Sequence, residues 1–127
     1  MNKNDILNIN SLALAYLGDA IYELYIRKYL IKKGNYKVKE LGEMAIKYVS
    51  AKAQSSYLDK MLENNILTDE ELTIIKRARN HKVLSHPKKT SIIAYKKATG
   101  LEALLGYLEL QNNQNRINEI MKYIVGD

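Results

Sequence analysis

Ser11-Leu-Ala-Leu-Ala-Tyr-Leu-Gly-Asp-Ala-Ile-Tyr-Glu-Leu-Tyr-Ile-Arg-Lys-Tyr-Leu-Ile-Lys-Lys33, followed by Gly34, decides the fold class. Leu14, Leu17, Ile21 and Leu24 fall at three- and four-residue steps and Ile31 continues the stripe, which is the period of a helix face. Gly34 stands where a helix end favours a residue free to take positive φ. The stretch predicts a long, largely buried helix. Val38 to Tyr48 and Ser50 to Glu63 predict two more helices, the second N-capped by Ser50, and Asn64-Asn65 marks a turn. Thr68-Asp-Glu-Glu71 has the spacing of a capping box and opens a helix toward Ala78. Asn80 to Pro87, with both histidines and the only proline, predicts a loop running on toward Ser91. A shorter helix over Ser91 to Lys97, another over Leu101 to Leu110 and an amphipathic one over Asn115 to Val125 complete an all-α chain.

A chain of 127 residues, 46% hydrophobic and 27% charged, has the size and balance of a single globular domain, residues 1–127. It contains no cysteine, which excludes a disulfide scaffold, a zinc–thiolate site and a cysteine nucleophile. Met1 to Asn10 is polar and lacks the apolar core of a secretory signal, and no apolar run is long enough to span a bilayer. The expectation is a cytoplasmic protein with no membrane partner. The net charge of +6 is unevenly placed. Leu72 to Leu101 holds no carboxylate, whereas Lys76, Arg77, Arg79, Lys82, Lys88, Lys89, Lys96 and Lys97 supply eight positive charges. The rest of the chain carries 12 basic against 14 acidic residues, so the basicity is local and suits a polyanionic partner. The alternative for such a patch is a solvated charged face.

Two carboxylates sit in apolar surroundings. Asp19, within Leu14 to Glu23, needs a cationic partner if it is ionised there. Glu23 lies one helical turn on, about 6 Å along the axis, and either joins the same polar pocket or pairs with Arg27. Glu102 is embedded in Ala98-Thr-Gly-Leu-Glu-Ala-Leu-Leu-Gly-Tyr-Leu108, and Thr99-x-x-Glu102 is also a capping-box spacing. Gly106 in a helix interior costs about 1 kcal/mol relative to Ala, which a close helix approach would justify. Two carboxylates from separate helices suit Mg²⁺, which needs only one or two from the protein. A structural ion pair for Asp19 and a helix cap for Glu102 are the competing readings.

Leu14-Ala-Tyr-Leu-Gly-Asp-Ala-Ile-Tyr-Glu23 resembles the signature helix of the ribonuclease III family, with Asp19 at the place of its catalytic aspartate. Thr99-Gly-Leu-Glu-Ala-Leu-Leu-Gly106 is similar to the family's second motif, with Glu102 at the place of its Mg²⁺-binding glutamate. Two motifs in the family's order are more specific than either alone. Val49 to Gln54 and Arg77 to Lys82 look like the Mini-III branch, in which the nuclease domain stands without a double-stranded-RNA-binding domain, and this chain likewise ends at Asp127.

The resemblance implies a ribonuclease III-type helical domain, a homodimer, and Mg²⁺-dependent endonucleolytic cleavage of double-stranded RNA through Asp19 and Glu102 as catalytic and metal-binding residues. Glu23 and Thr99 would stand just behind those ligands. The substrate implied is the 23S rRNA precursor, with room for an accessory ribosomal protein. Arg77, Arg79, Lys82, Lys88, Lys96 and Lys97 are the candidates for RNA contacts, since A-form RNA is recognised chiefly through shape and backbone. Ala15 and Thr99 occupy places where ordinary family members have carboxylates, so a four-carboxylate cage does not carry over. The same departures motivate the alternative of a non-catalytic RNA-binding dimer. A helical DNA-binding protein is the third class, and no helix-turn-helix pattern supports it. His81 and His86 match no catalytic position. Tyr16, Tyr22 and Tyr25 fit packing better than base stacking.

Overall fold

A computed structural model describes residues 1–34, 36–82, 88 and 90–126. Among them the chain forms seven helices and no strand: α1 (Lys3–Leu7), α2 (Ser11–Lys32), α3 (Val38–Val49), α4 (Ala51–Glu63), α5 (Asp69–Arg79), α6 (Ile92–Leu110) and α7 (Gln114–Val125). The predicted caps form. Ser50 accepts from the Ala53 amide, and Thr68 and Glu71 exchange both bonds of the capping box. Gly34 takes φ 93° just past the end of α2. α1 was not predicted. Its capping box, between Asn2 and Asp5, closes only five residues, of which Ile6 alone is buried.

α6 is the organising element. It lies among α2, α4 and α5, and its buried residues include Leu101, Ala103, Leu104, Leu105, Tyr107 and Leu108. The two short helices expected over Ser91 to Lys97 and Leu101 to Leu110 are therefore one. Thr99 does not cap a second helix; its hydroxyl donates to the Tyr95 carbonyl one turn back, at 2.9 Å. Gly100 interrupts nothing, because it sits in helical backbone where a Cβ would come within 3.0 Å of the Ile75 side chain.

α2 is less buried than expected. Leu14, Ala15, Gly18, Tyr22, Ile26 and Leu30 face the core, while Leu12, Tyr16, Leu24 and Ile31 are exposed. Tyr22 packs, as predicted, and donates to the Tyr48 carbonyl at 2.6 Å, tying α2 to the end of α3. Tyr16, at 85% exposure, does not pack within this chain. At the far side of the core, Arg116 on α7 makes two 2.7 Å contacts to the buried Glu71 and one of 2.8 Å to the Ile66 carbonyl. Burial would raise the Glu71 carboxyl, but the guanidinium and the Thr68 cap hold it below its ordinary range.

Candidate active site

The site begins with two glycines. A Cβ on Gly18 would fall 1.6 Å from the Glu102 carbonyl oxygen, and one on Gly106 would fall 2.0 Å from that of Leu14. Only hydrogen at both positions lets α2 and α6 approach backbone to backbone. Because Leu14 meets Gly106 and Gly18 meets Glu102, the helices run antiparallel. The residue after Gly18 is thereby placed beside Glu102, close enough for the Asp19 carboxyl to act on that of Glu102.

Asp19 is exposed and Glu102 half-buried, so Asp19 forms the open side of the pair. Burial, then the Asp19 carboxyl with its negative charge, push Glu102 up to about 8, with Glu23 adding to the repulsion and the Gln54 amide offsetting part of it. No ion pair to Asp19 or Glu102 exists among the described residues, so the structural partner considered for Asp19 is not found there. Glu23 does pair with Arg27, at 2.9 Å. Thr99 is buried with its hydroxyl bound to its own helix, and Ala15 is buried beside the glycine contact.

The side chain that sequence reasoning missed is Gln54 on α4. Only 2% exposed, its Nε2 donates to the Val49 carbonyl at 3.1 Å and to Glu102 Oε2 at 3.3 Å. Its Oε1 is buried without a hydrogen-bond partner among the described residues. The available signal was a glutamine at the head of the buried stripe Gln54, Leu58 and Met61.

Among the described residues no three His, Cys, Asp or Glu side chains gather to hold a metal. Two coupled carboxyls and an unpaired amide oxygen nonetheless fit a hard, oxygen-seeking cation of the Mg²⁺ type, whose remaining positions are filled by water and phosphate. They do not fit a metal that demands nitrogen or sulfur.

The basic residues separate into two groups. Arg77 donates to Ser11 Oγ at 3.0 Å, the Leu7 carbonyl at 2.5 Å and the Ile9 carbonyl at 3.2 Å, so it staples α5 to the α1–α2 connection. Lys97 pairs with Asp59 at 2.9 Å. Arg79, Lys82, Lys88 and Lys96 have no carboxylate partner among the described residues. His81 Nδ1 lies 3.3 Å from the Lys82 carbonyl oxygen, away from the carboxyl pair in sequence and bonding. His86, Pro87 and Lys89 lie outside the described residues.

The Ribonuclease III domain model matches residues 12–113. A Mini-ribonuclease 3 of Enterococcus faecalis is 46% identical over 121 residues, covering 95% of this chain and 92% of the relative. One from Streptococcus pneumoniae is 41% identical over 121 residues, covering 95% and 94%. A crystal structure of a Fusobacterium nucleatum protein superposes with a TM-score of 0.85 at 36% identity, over 94% of this chain and 96% of that one. The matched span contains both glycine contacts and both carboxyls, and the chain belongs to the ribonuclease III family, as an all-α endoribonuclease.

Proposed function

We propose that residues 1–127 form a single catalytic domain that cleaves double-stranded RNA as a Mg²⁺-dependent homodimer. One observation carries this reading: α2 and α6 meet backbone to backbone at Gly18 and Gly106, which brings Asp19 beside Glu102, and neither carboxyl has an ion-pair partner among the described residues. Asp19 and Glu102 would hold the ion. When bound, a divalent ion acidifies water and stabilises charge on a reacting phosphate. Glu102, set back in the fold, has the greater electrostatic need of a cation. Asp19, on the open side, is placed to face the phosphodiester. Arg79, Lys82, Lys88 and Lys96 are the RNA-contacting group, while Arg77 and Lys97 serve the fold. The family resemblance adds 5′-phosphate and 3′-hydroxyl products, rRNA-precursor maturation in the cytoplasm, and assistance from a ribosomal protein. Among the described residues no helix is long and apolar enough to cross a membrane.

The test is cleavage of end-labelled duplex RNA with Mg²⁺ by the wild type and by Asp19→Asn, which removes charge but keeps shape. Loss of about a hundredfold or more in rate, with duplex binding intact, is expected for loss of a charge-stabilising group. An Asp19→Asn protein that cuts at the wild-type rate would remove Asp19 from the chemistry.

A further inference from the structure

Gln54 is a polar side chain almost wholly withdrawn from water, and its bond to the Val49 carbonyl at the end of α3 uses only one of its polar groups. Leu58 and Met61, on the same stripe, serve the core as hydrocarbon. The amide is fixed by its neighbours. The Val49 carbonyl can only accept, so the atom 3.1 Å from it is the nitrogen, and the orientation of the group follows. The second N–H reaches Glu102 Oε2 at 3.3 Å. That leaves Oε1, an acceptor buried beside the carboxyl pair with no donor among the described residues. Buried polar atoms are ordinarily paired, and an exception calls for something that arrives later.

The α3–α4 junction is held firmly enough to make Gln54 a fixed reference. Ser50 caps α4 through the Ala53 amide, and Tyr22 of α2 donates to the Tyr48 carbonyl. Gln54 thus connects a braced junction to the Glu102 side chain.

The geometry points to Gln54 as the positioning residue of the cation site: Nε2 holds Glu102 Oε2 in place, and Oε1 accepts a hydrogen bond from water that accompanies the cation. This rests on the reading of Asp19 and Glu102 as the residues that hold the ion. Gln54 touches neither phosphate nor the reacting atoms. Its effect passes through Glu102, so it tunes how well the cation is held.

The experiment compares wild type, Gln54→Met and Asp19→Asn, with Mn²⁺ binding followed by electron paramagnetic resonance as the primary readout. Methionine keeps the length and volume of glutamine while removing both donor and acceptor. Gln54→Met is expected to melt within a few degrees of wild type, to bind Mn²⁺ about tenfold or more weakly, and to lose kcat with KM for duplex RNA unchanged. A packing role would shift the melt and leave Mn²⁺ affinity alone; that result overturns the inference. In parallel, the Gln54 side-chain NH₂ resonances of ¹⁵N-labelled wild type should shift saturably with Mg²⁺ and stay fixed in Asp19→Asn. This second measurement decides the matter if Gln54→Met does not fold, and unmoved wild-type resonances overturn the inference. Absence of saturable Mn²⁺ binding by the wild type would overturn the cation site itself, whereas wild-type affinity in Gln54→Met would overturn only the role of Gln54.

Discussion

Arg77 and Lys82 belong to the same basic stretch but face different tasks, and the contrast is a matter of where each donor goes. Arg77 gives Nε, Nη1 and Nη2 to Ser11, Leu7 and Ile9, whereas Lys82 is exposed and has no carboxylate partner among the described residues. Arg77→Ala should cost about 1–2 kcal/mol of stability, the worth of charge-assisted bonds at a partly exposed site, and leave the salt dependence of RNA binding unchanged. Lys82→Ala should leave stability within about 0.5 kcal/mol and flatten the slope of log affinity against log salt by roughly one contact. Urea unfolding and duplex binding across a salt series measure both; a reduced salt slope in Arg77→Ala would mean its guanidinium also reaches phosphate. Local charge density was legible in the sequence, but the acceptors that engage Arg77, two backbone carbonyls and the Ser11 hydroxyl, lie some seventy residues away, which no local pattern announces. The carboxyls were easier to find, because Asp19 and Glu102 each lie in a motif with recognisable neighbours. Gln54 closes a stretch that resembles the Mini-III branch, but its link to Glu102 depends on α4 meeting α6 and shows in no local pattern.

Helices α2 and α6 carry the site because they touch without side chains between them. Gly18→Ala would set a methyl carbon 1.6 Å from a main-chain oxygen, and neither backbone can yield without parting the helices. The expected cost is about 3 kcal/mol or more, with loss of activity even where the protein still folds. Gly42→Ala on α3 is the control, having open space around its added methyl, and should gain about 0.5–1 kcal/mol from helix propensity. Thermal unfolding of the two variants measures the difference; a Gly18→Ala protein as stable as wild type would show that the close crossing is not needed. The same contacts explain how far the elements could be foreseen. Periodicity and caps located α2 to α5 and α7 well: Ser50 and Thr68 close the starts of α4 and α5, and α3, whose start has no side-chain cap, is legible from its period. α6 was divided in two because Thr99-Gly100 looks like a break when the Ile75 side chain packed against it is unseen. α1 was missed because five residues are too few to display a period.

One copy of the chain holds one Asp19–Glu102 pair, whereas a duplex has two strands to cut. The outer side of α2 bears on this. Leu12 and Tyr16 are exposed one turn apart, with Ala13 and Ala20 exposed beside them, while Leu14, Ala15, Gly18 and Tyr22 bury the opposite side. An exposed apolar stripe suits a second copy of the same surface, and Asp19 stands next to it in the sequence. A pair of chains joined there would place two carboxyl sites on one assembly. Tyr16→Glu tests the arrangement, because an ionised carboxylate resists transfer into a dry interface but costs little at a position that is 85% exposed in the single chain. The wild type is expected to sediment as a dimer and to convert duplex RNA to paired breaks. Tyr16→Glu should melt like wild type, sediment as a monomer, and lose double-strand scission. A wild type that cuts both strands while sedimenting as a monomer would detach activity from dimerisation and assign the α2 stripe to another partner.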